Sequence, residues 1–162
     1  MGDDLRLKER GAVRTPMQWS AGPNGGFSTA EKPVRPVPAG GLYGYRSVNV
    51  EQQRRDPSSR LLWLTRMIRL RKECPEVGWS VPTIVSTRAP SVLALQYAWR
   101  GNTLLCVHNL GAEARQVTVK IEGERLRNLL ADEEIAAEGD RFRIDLDAYG
   151  YRWYRVDVPT LR

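Results

Sequence analysis

Gln116-Val117-Thr118-Val119-Lys120-Ile121 and Arg141-Phe142-Arg143-Ile144-Asp145-Leu146 decide the fold class of this chain. In both stretches apolar and polar residues alternate with period two, the pattern of a strand that buries one face and wets the other. Leu93-Ala94-Leu95-Gln96-Tyr97 and Leu104-Leu105-Cys106-Val107 are more uniformly apolar, which predicts central strands, with a turn at Gly101-Asn102 between them. A last strand is predicted over Tyr149-Gly150-Tyr151-Arg152-Trp153-Tyr154, whose aromatics are available to close a core. From residue 81 onward the chain therefore predicts a mainly β fold, an antiparallel β-sandwich of roughly six to eight strands.

Upstream the periodicity changes. Asp56 as N-cap, Pro57 at the first helical position and a stop at Cys74-Pro75 predict one helix from Ser58 to about Glu73. Its apolar positions form two groups, Leu61, Leu64 and Ile68 on one side and Trp63, Met67 and Leu70 on another, so the helix is expected to face two bodies. Residues 1 to about 55 are rich in Gly and Pro with little periodicity and predict a long loop. Such a segment usually packs on something large or carries function.

Composition narrows the function classes. The 162 residues carry a net charge of +6, yet the basic residues are scattered and form no run longer than two, so a nucleic-acid partner is not expected. No apolar run is long enough to cross a membrane, and Met1-Gly2-Asp3-Asp4 lacks the apolar core of a signal peptide, so a soluble, cytoplasmic chain is expected. Cys74 and Cys106 have no CxxC spacing and His108 is the single histidine, which argues against a zinc site or a disulfide framework. No metal or other cofactor is expected.

The carboxylate pairs offer little chemistry. Asp3-Asp4 and Glu133-Glu134 are neighbours in loops, while Asp145 and Asp147 lie on the polar face of a strand; all read as solvated surface. His108 has no Ser or Cys motif beside it and reads as structural. There is no nucleophile elbow, phosphate-binding loop or dinucleotide fingerprint. No catalytic residue is assigned.

Chemistry-bearing motifs concentrate instead near the start. Gly11-Ala12-Val13-Arg14-Thr15-Pro16-Met17-Gln18-Trp19-Ser20 is followed by Asn24, Gly26-Phe27-Ser28 and Tyr43-Gly44-Tyr45-Arg46-Ser47-Val48-Asn49-Val50-Glu51-Gln52-Gln53. Next come Asp56-Pro57-Ser58-Ser59, the helix residues Trp63, Arg66, Met67, Ile68, Arg71 and Lys72, and the closing Tyr149-Gly150-Tyr151-Arg152-Trp153. In this order the series resembles the α-amylase family of glycoside hydrolases, in the branch of trehalose synthases (maltose α-D-glucosyltransferases), oligo-1,6-glucosidases and α-glucosidases. The resemblance covers nearly the whole chain.

The resemblance implies a (β/α)₈ barrel followed by an antiparallel C-terminal sandwich. Residues 1–75 would then be the end of the catalytic barrel, namely its eighth βα-loop and helix, and residues 81–158 the C-terminal sandwich. It also implies retaining chemistry by two carboxylates and a third stabilising one, after barrel strands four, five and seven. These would lie upstream of Met1, so the isolated segment is expected to be inactive. Arg14 is the residue the resemblance places at the sugar pocket, where a guanidinium can donate several hydrogen bonds to hydroxyls. Gln18 and Trp19 are further substrate-binding candidates, and Trp19 has a competing part as a packing anchor of the loop. The implied partners are an α-glucoside or maltose-like sugar, an upstream barrel polypeptide, and self-association through exposed Leu61, Leu64 or Trp63. A second reading is a non-catalytic module whose sandwich binds glucan or a partner subunit.

Overall fold

The structure, a computed structural model, describes residues 14–158. The chain divides into two units, residues 1–68 and residues 69–162.

In the first unit a long loop leads to helix α1 (Val50–Arg55) and the start of helix α2 (Arg60–Glu73). The loop is knitted by its own backbone. Around a 3-10 turn at Pro23–Gly26, the Trp19 and Ser20 amides both donate to the Gly25 carbonyl, at 2.7 and 2.9 Å. Asn24 and Gly25 adopt left-handed conformations there, which Asn and Gly tolerate best. Gly25 is also sterically required: a β-carbon on it would lie 3.1 Å from Val37 and 3.2 Å from Tyr45. The Asn24 side chain donates onward to the Ser28 and Ala30 carbonyls.

Two helices replace the single one expected, and the capping differs. Asn49, buried, caps α1 by accepting from the Gln52 amide at 2.9 Å, while its own amide donates to the Gln52 side chain at 2.8 Å and to the Tyr45 carbonyl. Residues 50–55, included in the long loop expected up to about residue 55, are thus helical because a buried cap starts them. Asp56 is not the N-cap of α2. Its carboxylate accepts from the amide and hydroxyl of Ser58 in a tight turn, and Pro57 sits in that turn. Ser59 takes the capping position, accepting from the Leu62 amide at 3.2 Å and donating to the Gln53 carbonyl at 2.6 Å. Trp63, Leu64 and Ile68 are exposed, whereas Leu61 is half-buried. Pro75 does end α2, and a short helix α3 (Glu76–Trp79) follows it.

The described residues of the second unit form eight strands: β1 (Thr83–Val85), β2 (Val92–Trp99), β3 (Asn102–Asn109), β4 (Arg115–Lys120), β5 (Arg125–Asn128), β6 (Glu134–Ala136), β7 (Arg141–Leu146) and β8 (Tyr151–Asp157). Six form one sheet in the order β1-β2-β3-β8-β5-β6, and β4 pairs with β7 as a two-stranded ribbon. All pairs are antiparallel. Val117 faces Ile144 and Val119 faces Phe142 in the ribbon, as the alternation predicts. Their buried sides join Ala94, Leu105, Val107, Leu126, Tyr154 and Val156 in the main core. On the polar face, Gln116 donates to Asp145 at 2.8 Å.

Two boundaries differ from the sequence reading. The β2–β3 turn is centred on Arg100 and Gly101, with φ of 48° and 78°, because β3 already begins at Asn102. The last strand starts at Tyr151 and runs to Asp157; Tyr149 has a φ of 54° and belongs to the turn before it.

Asn109 organises the two places where the chain crosses between the sheets. Its buried amide donates to the Glu113 and Asp147 carbonyls at 2.7 and 2.8 Å, and its oxygen accepts from the Gly111 amide. A second, smaller core lies on the other face of the six-stranded sheet, where Cys74, Leu104 and Cys106 are buried with Leu70, Val77, Tyr97 and Trp153 packed against them. Both cysteines are free thiols.

Burial pushes the Cys106 thiol up to about 12 and raises those of Cys74 and the Tyr154 hydroxyl. Each group holds its proton more tightly folded than unfolded. Above pH 9, the ordinary thiol value, the unfolded chain releases protons that the folded one keeps, so stability falls as pH rises. Each such group steepens the fall by up to about 1.4 kcal/mol per pH unit. The thermal midpoint is expected to drop steadily from pH 9 towards 12, measured by circular dichroism; a flat midpoint would contradict these buried acids.

Candidate functional site

The Arg14-to-Trp19 string lies along the start of α1. The first amides of a helix have no partner within it. Here the Val50 amide donates to the Gln18 carbonyl at 2.9 Å, and the Glu51 amide donates to the Trp19 carbonyl at 3.0 Å. The Gln18 side chain then uses both amide protons on backbone, donating to the Tyr43 carbonyl at 2.9 Å and the Val48 carbonyl at 2.8 Å. Gln18 is therefore a tie between distant parts of the loop.

Trp19 is bound through its backbone while the residue remains 47% exposed. Arg14 is exposed, and no ion pair or hydrogen bond joins it to the other described residues. A shallow cavity of about 220 Å³ lies between the two segments, lined by residues including Thr15, Met17, Gln18, Asn49 and Gln53. The arrangement offers an exposed guanidinium, unpaired among the described residues, and a partly exposed Trp19 on a loop tied through the backbone and side chain of Gln18 and the backbone of Trp19. That chemistry suits hydroxyl-rich ligands.

The sequence reading missed Asn49 as the organiser of this region. The signal was available in Asn49-Val50-Glu51-Gln52, a cap residue with Gln three places on.

The remaining acids and the histidine do not converge. Glu133 accepts from Asn128 at 2.7 Å, Glu134 pairs with Arg125 at 2.8 Å, and Asp147 pairs with Arg152 at 3.4 Å. His108 stacks on Tyr151 with ring centroids 6.2 Å apart, and burial holds its pKa below the ordinary imidazole value. Asp3-Asp4 lies outside the described residues. Among the described residues no group of His, Cys, Asp and Glu could hold a metal ion, and no helix is long and apolar enough to cross a membrane.

A family model described as "Alpha amylase, catalytic domain" matches residues 1–79, and one described as "Sucrose hydrolase-like, C-terminal domain" matches residues 101–155. Motif-bearing loop, helices and sandwich thus define a glycoside hydrolase segment with part of a catalytic domain and a C-terminal domain. A trehalose synthase of a Pimelobacter species is 34% identical across 98% of this chain, which spans 30% of that protein. "Trehalose synthase/amylase TreS" of Mycobacterium tuberculosis is 40% identical across 75% of this chain, corresponding to 21% of its own length. The crystal structure of trehalulose synthase MutB from Pseudomonas mesoacidophila shares the fold, with a TM-score of 0.65 over 92% of this chain and 26% of that one, at 23% identity. The chain belongs to the α-amylase family. It spans under a third of the length of these curated relatives.

Proposed function

We propose that residues 1–75 complete a catalytic barrel, that residues 81–158 are its C-terminal sandwich, and that the assembled protein hydrolyses or rearranges α-glucosidic bonds. In this reading Arg14 binds substrate and Trp19 flanks it, while Gln18 holds their loop. The observation that carries the proposal is the pairing of a rigidly tied backbone with an exposed Arg14 that no described acid neutralises. The trehalose synthases named above support an α-glucoside such as maltose as the ligand.

The catalytic carboxylates belong, in this proposal, to the part of those relatives that this chain does not span. The partner is then a barrel polypeptide, with a cytoplasmic location. Exposed Leu64 and Ile68 on α2 supply an apolar surface for a barrel or for self-association.

The test is to join the chain to the upstream barrel, by fusion or in trans, and to assay maltose turnover. Arg14→Ala is expected to lower kcat/KM by about tenfold to a hundredfold, the cost of leaving substrate hydroxyls without their donor. Arg14→Lys would recover part of it, since one point charge replaces a planar fork. Unchanged turnover in Arg14→Ala would remove Arg14 from the site.

A further inference from the structure

A polar pocket of about 400 Å³ lies where the β1–β2 loop meets the β4–β7 ribbon, apart from the Arg14 loop. Its lining is Ser86, Thr87 and Arg88 from the loop, Thr118 and Lys120 from β4, and Arg141 from β7. Thr118 and Lys120 lie on the wet face of β4, and Arg141 faces Lys120 across the ribbon. Three cations and three hydroxyls thus meet from three elements, with no carboxylate and no aromatic ring in the lining.

The loop that presents Arg88 is held in shape. Arg88 has a φ of 56°, a left-handed conformation that Gly or Asn adopts at lower cost. On either side of it Val85 is buried in the main core and Ala89 packs against that core. Between them the Thr87 hydroxyl accepts from the Ala89 amide at 3.3 Å and donates to the Val92 carbonyl at 3.1 Å, while the Val92 amide donates to the Ala89 carbonyl at 3.0 Å. An arginine kept in such a conformation by its surroundings points to a use for its side chain.

Charge points the same way. Elsewhere in this unit Arg115, Arg125, Arg127, Arg143 and Arg152 each lie within ion-pair distance of a carboxylate. Arg88 has no such partner among the described residues, and Lys120 and Arg141 share one, Asp140, at 2.5 and 3.6 Å. The hydrogen bond from Lys120 holds the Asp140 carboxyl below its usual range, so it stays ionised. Three cations against one carboxylate leave two positive charges uncompensated. The Ser86 and Thr118 hydroxyls make no hydrogen bond to other described residues and remain free to donate.

We propose that Arg88, Lys120 and Arg141 form a binding site for a phosphate group, with the Ser86 and Thr118 hydroxyls as further donors. A phosphate dianion matches the two excess charges and offers oxygens in three directions, whereas a carboxylate offers two in one plane. A neutral sugar finds no ring here to stack on. The pocket has room for phosphate carried on a hexose as well as for the free ion. The inference uses no residue of the first unit, so it stands whether or not Arg14 binds a sugar.

The test is a nitrogen-15 NMR titration of the whole chain at fixed ionic strength, with inorganic phosphate in one arm and glucose 6-phosphate in the other. The amides of Arg88, Thr118, Lys120 and Arg141 are expected to shift and saturate in at least one arm, and the tighter arm identifies the source of the phosphate. Arg88→Gly is expected to weaken binding about tenfold, the loss of one charge-assisted donor. Its thermal midpoint should stay equal or rise, because Gly relieves the left-handed backbone. Arg141→Gln should weaken binding to a similar extent. Arg115→Gln, which removes the same charge from β4 outside the pocket, should leave it unchanged. Absence of saturable shifts in both arms overturns the proposal, as do Arg88→Gly and Arg141→Gln that bind as wild type does. So do acetate shifting the same amides at the same concentrations, and Arg115→Gln weakening binding as much as Arg88→Gly, which would mean that net charge alone attracts the anion.

Discussion

Arg155→Ala is expected to destabilise the sandwich by about 3–5 kcal/mol, because it strands a buried carboxylate. Glu76 is 1% exposed and its Oε1 pairs with Arg155, while Oε2 has no partner among the described residues. The Arg155 guanidinium also reaches the Cys74 sulfur at 3.8 Å. Removing the cation leaves the Glu76 charge with neither water nor a counterion. The effect should therefore be much larger than at an exposed pair such as Arg125 with Glu134, where about 0–1 kcal/mol is ordinary. Replacing both partners, Glu76→Met with Arg155→Met, should restore much of the loss, since no buried charge then remains. Urea unfolding followed in the far ultraviolet measures all three. A loss below about 1 kcal/mol in Arg155→Ala would mean that water reaches Glu76.

Phe142→Ala should cost about 3–5 kcal/mol, through lost burial and the cavity left behind. Phe142 is 0% exposed, lies opposite Val119 in the ribbon, and belongs to the same core as Leu126, Tyr154 and Val156 of the facing sheet. Gly123 sits close by, where a β-carbon would come within 3.9 Å of the Phe142 ring and 2.5 Å of Val156. That crowding leaves little slack for the two sheets to collapse onto a smaller side chain. Arg143→Ala, one residue away on the wet face, should change stability by less than about 0.5 kcal/mol. Equal effects at the two positions would refute the assigned register.

The alternation of Val117, Val119, Phe142 and Ile144 was legible because burial of one strand face imposes period two whatever the partner is. The β2–β3 hairpin was legible for the same reason, but its turn was misplaced by one residue. Gly101 attracted the reading, whereas Arg100 shares the left-handed conformation that a residue type alone does not announce. The helix capping failed similarly. Asp56 and Ser59 are both good caps, and Gln53 settles the choice: its carbonyl accepts from the Ser59 hydroxyl, and its side chain accepts from the Leu61 amide.

The candidate site was legible as a string and not as a geometry. Arg14 could be named as a sugar-pocket residue from resemblance, with Gln18 and Trp19 as further candidates, yet the string does not say which side chains the fold itself uses. Gln18 spends its donors on two carbonyls that lie 25 and 30 residues away in sequence. No local pattern encodes such distant partners.

By itself the sequence determined the period-two sandwich, the proline stop at Pro75, the scattered charge and the ordered motifs of the α-amylase family, all of which follow from local spacing and residue chemistry. Only the tertiary structure decided which polar groups are spent inside the fold and which stay available. Gln18, Asn49, Asn109 and Glu76 are committed to partners distant in the chain or buried in the fold, while Arg14 and Trp79 are left facing outward. The physical reason is that a buried hydrogen-bonding group must find a partner wherever folding brings one, and sequence spacing does not measure that distance.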